Sequence, residues 1–220
     1  MYRAAALSGC GPLAAMISNY FTEMKNDVDQ ALDQHLLSSD CYPQSLIKSM
    51  RYSVFAGGKR LRPILVLAAA EAVKGPVKEI MPFALGVELI HTYTLIHDDL
   101  PALDNDDLRR GKPTSHKAFG ESTAILTGDA LQTFAFQLMT NVELMKGIPP
   151  GVILQVVHEL SHAVGPLGTI GGQMVDLESE GKEIEAGTLE YIHRHKTGCL
   201  IRACIRSGGI LSQCSETDIE

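Results

Sequence analysis

The stretch from His91 to Gly120 contains the residues of this chain best suited to distinctive chemistry. Five aspartates are followed directly by a basic run: Asp98, Asp99, Asp104, Asp106 and Asp107, then Arg109, Arg110 and Lys112. Carboxylate oxygens are preferred ligands of Mg²⁺, and arginine side chains bind phosphate through paired hydrogen bonds. The stretch therefore predicts a site at which Mg²⁺ bridges protein carboxylates to a diphosphate.

The spacing of these carboxylates favours a shared site over a solvated, salt-bridged turn, which is the ordinary alternative for a mixed-charge loop. Asp98 and Asp104 are six positions apart and would lie on different faces of a continuous helix. Pro101 lets the backbone leave the helix, so the two side chains can converge. The stretch does not fit an EF-hand, because DNDDLR lacks the glycine at loop position six and Leu108 stands where a ligand is required.

Helices must position these residues, because apolar side chains recur at three- and four-residue steps along most of the chain. Nowhere do four or more residues alternate convincingly as a strand, so the sequence predicts an all-α fold. The predicted helices run over 13–36, from 46 to 54 with Gly57-Gly58 after it, from Pro63 to Gly75, from near Pro82 to Asp98-Asp99, and over 122–144, 152–164 and 188–206. The tail from Ser207 is weak, and Pro149-Pro150-Gly151 and Gly165-Pro166 are predicted breaks.

Composition narrows the class of protein. The 220 residues can bury one sizeable core, and a net charge of −7 argues against general nucleic-acid binding. Five cysteines without a CxxC pair fit reduced thiols in a cytoplasmic protein. The apolar run in the opening MYRAAALSGC is too short for a signal-peptide core, and no apolar stretch of about 18 residues predicts a membrane span.

Further polar residues could join the site. GGKRLRP places Lys59, Arg60 and Arg62 after two glycines, which allow close backbone approach while the cations grip a diphosphate; alone it would read as a solvated helix terminus. His91 precedes Asp98 by two helical turns on one face, although a lone helical histidine is more often a hydrogen-bonded core residue. Lys196 lies on a mostly apolar stretch and needs a partner.

The quoted stretch HDDLPALDNDDLRRGKPT resembles the first aspartate-rich motif, DDxxxxD followed by RRG, of the trans-isoprenyl diphosphate synthases. GGKRLRP, GGQMVD (172–176 with its leading glycine at 171) and HKTG (195–198) resemble further motifs of that family, in the family's order. The resemblance implies the isoprenoid synthase fold, a bundle of antiparallel helices around a central cavity. It also implies a homodimeric prenyltransferase that condenses isopentenyl diphosphate with an allylic diphosphate, using Mg²⁺ or Mn²⁺.

The resemblance also implies roles for individual residues. It implies metal binding by Asp98 and Asp104, supported by Asp99 and Asp107. For isopentenyl diphosphate it implies binding by Lys59, Arg62, His91 and Arg110, and for the allylic diphosphate by Arg109. Lys196 and Thr197 would face the leaving diphosphate, and Gln173 and Asp176 would extend the polar wall, with a structural role for these last two equally open. An aromatic residue at Tyr93 resembles bacterial enzymes that make farnesyl diphosphate, with Thr94 as another candidate for the cavity floor.

Two features leave alternatives open. The family's second motif, DDxxD, is absent, so residues 1–220 are expected to be the N-terminal and central part of a polyprenyl synthase domain. A non-catalytic partner subunit is the alternative explanation of this absence. For the product, the alternative to a farnesyl diphosphate synthase is a geranylgeranyl diphosphate synthase. A literal HExxH at His158, Glu159 and His162 would suit a zinc protease. The metzincin third-ligand position is Gly168, which fails, so a third ligand would have to be Glu178 or Glu183.

Overall fold

The computed structural model describes residues 11–219 and confirms the predicted all-α fold. The opening ten residues, on which the signal-peptide question turns, lie outside the described part. The helices of the first half are α1 (Pro12–His35), α2 (Gln44–Val54), α3 (Leu61–Ala72), α4 (Val77–Asp98), α5 (Ser115–Phe119) and α6 (Glu121–Met139). Those of the second half are α7 (Pro150–Val164), α8 (Thr169–Ser179), α9 (Ala186–Ile192), α10 (Cys199–Leu211) and α11 (Glu216–Ile219).

Helix α4 forms the centre of the bundle and packs against α6 and α3. It is buried along almost its whole first half because it is apolar on all sides, whereas α3 buries fewer residues. The sequence predicts that this helix begins near Pro82. In the structure α4 begins earlier, at Val77, and Pro82 lies inside it. The buried surroundings of α4 outweigh the one backbone hydrogen bond that a proline cannot donate.

A two-residue hairpin interrupts the helices between α4 and α5. Strands β1 (Leu108–Arg109) and β2 (Lys112–Pro113) pair antiparallel, with Arg109 opposite Lys112. The turn between them consists of Arg110 and Gly111, which have positive φ angles of 55° and 78°. Positive φ at both central residues is the geometry of a two-residue hairpin turn. The hairpin therefore gives the RRG motif a fixed shape.

The second half departs from prediction mainly in the last long helix. Between α9 and α10 the chain forms a π-helical segment (His193–Gly198), here called the π turn. Helix α10 continues to Leu211, beyond the predicted end at Arg206, because its later residues are buried against α3 and α7. The predicted helix over 122–144 ends at Met139, and the short helix α5 was not predicted. None of the helices in residues 11–219 combines the length and the hydropathy that a membrane span requires.

Candidate active site

A cavity of about 540 Å³ lies beside the C-terminal half of α4. Volumes in this range are typical of small-molecule sites. Most of the polar residues predicted to form a site line this cavity: Arg62, His91, Tyr93, Thr94, Asp98, Gln173, Lys196 and Thr197. Apolar side chains form much of the remaining wall, including Leu95, Leu103, Leu177 and Leu200. The structure therefore brings together residues from α3, α4, α8 and the π turn.

Arg62 and His91 form the basic wall of the cavity. Arg62 Nη1 lies 3.0 Å from His91 Nε2. Burial, together with the charges of Arg62 and neighbouring arginines, lowers the pKa of His91 to about 3, so its ring is neutral near pH 7 and can accept this hydrogen bond. Arg62 Nε is buried and has no hydrogen-bond partner among the described residues. A buried, unpartnered cationic donor suits an incoming anion.

Arg60 does not face the cavity, in contrast to the sequence expectation that it helps to grip a diphosphate. Its side chain is buried and donates to Glu88 at 2.8 Å, to Asp29 at 2.7 Å and to the Val54 carbonyl at 2.7 Å. Its backbone adopts a left-handed conformation, with a φ of 51°, immediately before α3. Arg60 therefore ties α1, α2 and α4 to the start of α3, two residues before Arg62.

Lys59 and Arg110 lie outside the cavity lining. Lys59 is exposed. The Arg110 guanidinium donates to the carbonyl of Gly57 and lies so close to Gly58 that a Cβ there would be 2.5 Å from Nη1. The glycines of GGKRLRP thus receive the arginine of RRG, and these two motifs, 53 positions apart, are in direct contact.

Asp98 and Lys196 line the cavity and, with their neighbours Asp176 and Asp104, which lie outside its lining, form what we call the acidic wall. Asp98 is the last residue of α4, and its carbonyl accepts the Asp104 backbone N–H at 2.9 Å, which closes the turn that contains Pro101. Burial and then the charge of Asp104 raise the pKa of Asp98, while Lys196 and Arg109 oppose the change. Over residues 11–219, no three His, Cys, Asp or Glu side chains are grouped to hold a metal ion. The charge of Asp104 thus disfavours the charged form of Asp98.

Lys196 extends from the π turn and donates to Asp176 on α8 at 2.5 Å. Burial acts to lower the pKa of Lys196, but the hydrogen bond that Lys196 donates to Asp176 and the charges of Asp98, Asp176 and Asp104 outweigh it and raise that pKa. Lys196 is thus a charged ammonium group between carboxylates. Thr197 and Gln173 line the cavity beside it.

The chain is similar to known proteins over most of its length. The family model described as Polyprenyl synthetase matches residues 43–220. The chain belongs to this family. It is 51% identical over 196 residues to a dimethylallyltranstransferase from Fischerella ambigua (strain UTEX 1903), covering 89% of this chain and 56% of that one. It is 47% identical over 195 residues to a farnesyl diphosphate synthase from Geobacillus stearothermophilus, with coverages of 89% and 65%.

Solved structures support the same family. A FPP/GFPP synthase from Zymomonas mobilis superposes with a TM-score of 0.87 at 35% identity, over 93% of this chain and 74% of that one. A putative farnesyl-diphosphate synthase from Marinomonas sp. MED121 superposes with a TM-score of 0.78 at 42% identity, over 90% and 70%. The chain thus spans only part of the two curated relatives named above: 56% of the length of the first and 65% of the length of the second.

Asp99, which follows Asp98 at the end of α4, pairs with Arg109 of the hairpin. Asp99 is 3% exposed, and its carboxylate accepts hydrogen bonds from Arg109 Nε, at 2.8 Å to each oxygen. Neither residue lines the cavity. This ion pair fixes the hairpin to the end of α4. In this structure Asp99 and Arg109 are therefore paired with each other. The metal-binding role expected of Asp99 and the diphosphate-binding role expected of Arg109 stay predictions.

The HExxH sequence does not form a metal site in this family member. Glu159 accepts hydrogen bonds from Arg206, one of them at 3.2 Å from Nη2. His158 and His162 are exposed on α7, and among the described residues no third ligand is grouped with them. The geometry therefore does not support the zinc-protease alternative.

Sequence reasoning missed His97 and Gln132, which also line the cavity. The His97 ring meets the Tyr93 ring edge-on at 5.8 Å and its Nε2 lies 3.1 Å from the Ile125 carbonyl on α6. A helical spacing of four residues from Tyr93 was the available signal for His97. Gln132 lies on α6, and no motif marks it.

Proposed function

We propose that this chain provides the N-terminal and central part of a Mg²⁺-dependent prenyltransferase that condenses isopentenyl diphosphate with dimethylallyl or geranyl diphosphate to give farnesyl diphosphate. The observation that carries the proposal is the placement of a basic wall and an acidic wall in one largely apolar cavity of about 540 Å³. Two diphosphates need two differently charged surroundings, one with cations alone and one with carboxylates for metal. The named relatives act on the same class of compound.

Asp98 and Asp104 would hold the divalent cation, Mg²⁺ or Mn²⁺. The residues fit such a group because Asp98 is destabilised as an anion by burial and by Asp104, and a cation would relieve both effects. Mg²⁺ is commonly bound through one or two carboxylates, with water and substrate phosphate completing its ligands. When bound, it would act as a Lewis acid on the allylic diphosphate.

The basic wall would bind isopentenyl diphosphate. Arg62 offers a buried donor, and neutral His91 holds the guanidinium from one side. Arg110 closes over Gly57 and Gly58 next to this wall, and exposed Lys59 can reach a phosphate at its edge. These contacts involve a diphosphate that does not leave, so they would contribute to substrate binding more than to the chemical step.

Lys196 and Thr197 would stabilise the allylic diphosphate as it departs, because a fixed ammonium group offsets negative charge that develops in the transition state. The double bond of isopentenyl diphosphate would attack the allylic carbon, and loss of a proton to the released diphosphate would restore an alkene. Gln173, which lines the cavity, would hydrogen-bond the same diphosphate. Leu95, Leu103 and Leu200 would keep water from the allylic cation.

Tyr93 would limit the product to fifteen carbons. It lines the cavity, is 5% exposed and packs edge-on against His97. A geranylgeranyl product is the second candidate, because a geranylgeranyl diphosphate synthase from Cyanophora paradoxa is 44% identical to this chain.

Free thiols at four described cysteines support a reducing cytoplasm. Exposed Leu126 on α6 leaves apolar surface for a homodimer.

Turnover of labelled isopentenyl diphosphate with geranyl diphosphate tests the proposal. We expect a prenyl product with Mg²⁺ and none after chelation, and loss of that product in Asp98→Ala. Binding of isopentenyl diphosphate by calorimetry without turnover would instead indicate a non-catalytic partner subunit. Absence of both would contradict the proposal.

A further inference from the structure

Gly172, in the first turn of α8, lies directly against the backbone of the π turn. A Cβ atom at this position would be 2.2 Å from Lys196 N, 2.7 Å from Lys196 Cα and 2.8 Å from the carbonyl carbon of His195. All three are backbone atoms, which cannot rotate away as a flexible side chain can. Only glycine permits two helical backbones to come this close.

The contact falls on the one π-helical segment among the described elements. A π turn adds a residue to a helix and is frequently found at functional sites. This segment contains Lys196 and Thr197, which are adjacent in sequence and both line the cavity. The irregular turn and the close helix contact therefore coincide at the residues proposed to face the leaving diphosphate.

Asp176 lies four positions after Gly172, so the two residues share a face of α8. Lys196 Nζ donates to Asp176 Oδ2 at 2.5 Å. An α8 backbone pushed outward by a side chain at position 172 would carry Asp176 away with it. The depth of the Gly172 contact thus sets the distance across which Asp176 holds Lys196.

We propose that Gly172 is a positioning residue that, through the backbone of the π turn and through Asp176, fixes Lys196 Nζ where the allylic diphosphate departs. This inference rests on the proposed prenyl transfer. It assigns to the GGQMVD motif a steric task at its second glycine, distinct from hydrogen bonding by Gln173. It also explains why Gly172 is buried beneath a functional lysine.

Gly172→Ala tests the proposal. We expect kcat to fall about a hundred-fold, since a displacement of about 1 Å of a catalytic group has an effect of this size. The KM for isopentenyl diphosphate should stay within about twofold of wild type, because Arg62 and His91 lie on other helices. A crystal structure of the variant should show the Lys196–Asp176 hydrogen bond broken.

Gly187→Ala is the matched control, since a Cβ at Gly187 on α9 meets nothing within 4 Å. It should leave kcat and both KM values unchanged. If Gly172→Ala does not fold, Asp176→Asn carries the test without a steric change: kcat should fall about tenfold, with the same unchanged KM for isopentenyl diphosphate.

The outcomes separate this inference from the proposed function. Wild-type protein without any Mg²⁺-dependent prenyl transfer would contradict the proposed function, and the crystal structure of Gly172→Ala would still decide whether Lys196 moves. Active wild type with an equally active Gly172→Ala variant, or with an intact Lys196–Asp176 bond in that variant, would overturn the positioning role alone. An equal rise in the KM values for both substrates, with kcat unchanged, would also overturn it.

Discussion

The basic and acidic walls of the cavity are built in opposite ways. Behind the basic wall lies a buried network in which Arg60 binds Asp29, Glu88 and the Val54 carbonyl, so the start of α3 is fixed before any substrate arrives. The acidic wall combines half-buried Asp98 with exposed Asp104 on a turn. Its carboxylates repel each other, and the charges of Lys196 and Arg109 offset this repulsion.

This difference predicts how each wall responds to change. Breaking a buried ion pair leaves an uncompensated charge in the interior, which lowers stability. Removing one of two repelling carboxylates relieves an unfavourable interaction, so stability is kept while metal binding is lost. We therefore expect changes behind the basic wall to affect folding and changes in the acidic wall to affect turnover.

The largest expected effect is on turnover, from Asp98→Ala or Asp104→Ala. Loss of a metal ligand should lower kcat/KM about a thousand-fold, which corresponds to about 4 kcal/mol. The pKa of Asp98 is higher in the folded state than in the unfolded chain, so the folded state binds the Asp98 proton more tightly. The protein therefore loses stability as pH rises from the ordinary pKa of an aspartate towards this raised pKa. Asp98→Ala should therefore melt at the wild-type temperature or above it.

Steady-state kinetics and thermal unfolding of the same preparations check this result. Asp40→Ala, in the exposed loop after α1, is the control and should match wild type in both measurements. Near-normal Mg²⁺-dependent turnover in both Asp98→Ala and Asp104→Ala would remove these residues from the metal site.

The next largest effect is on stability, from Arg60→Met. It leaves Glu88 buried without its partner and should lower the free energy of unfolding by about 3 kcal/mol. Arg51→Met is the control, because the Arg51–Asp33 pair lies nearer the surface, where such pairs contribute less than about 1 kcal/mol. Urea unfolding measures both; equal losses in the two variants would contradict the contrast between the walls.

A third effect separates the two substrates. Arg62→Leu should raise the KM for isopentenyl diphosphate about tenfold or more, since a hydrogen bond to a charged group contributes about 1.5–3 kcal/mol. The KM for the allylic substrate should be unchanged. Lys59→Ala should act in the same direction but more weakly, because Lys59 is exposed, and Lys48→Ala should have no effect. An equal rise in both KM values would refute the assignment of separate diphosphate sites.

The sequence predicts features that repeat locally along a helix better than features that depend on contacts between distant segments. Apolar periodicity gave α1, α2 and α7 well, because burial of one face repeats along a helix. It missed the π turn at Lys196, since one extra residue hardly alters an averaged period. The Asp99–Arg109 pair also could not be predicted, because Asp98 and Asp99 look alike in sequence and only the position of the hairpin decides which one meets an arginine.

A pH effect belongs to the basic wall. The folded pKa of His91 is about 3 against an ordinary value of 6.5, so its contribution to stability is lost as pH falls from 6.5 towards 3. Between pH 7 and pH 5 this loss is about 2 kcal/mol. His91→Gln should therefore lose less stability than wild type over that interval, by urea unfolding. An identical pH dependence would show that His91 takes up its proton normally.

The smallest expected energy, and the sharpest qualitative result, concerns the depth of the cavity between the two walls. Tyr93→Ala should shift the main product from fifteen to twenty carbons or more, because the ring fills space and packed neighbours do not yield to extra methylenes. Tyr93→Phe is the matched control: the Tyr93 hydroxyl has no hydrogen-bond partner in the described chain, so its loss should leave both product and stability nearly unchanged. Chromatography of dephosphorylated products gives the distribution. If Thr94→Ala lengthens the product and Tyr93→Ala does not, Thr94 is the floor, and a wild-type product of twenty carbons would contradict farnesyl diphosphate as the product.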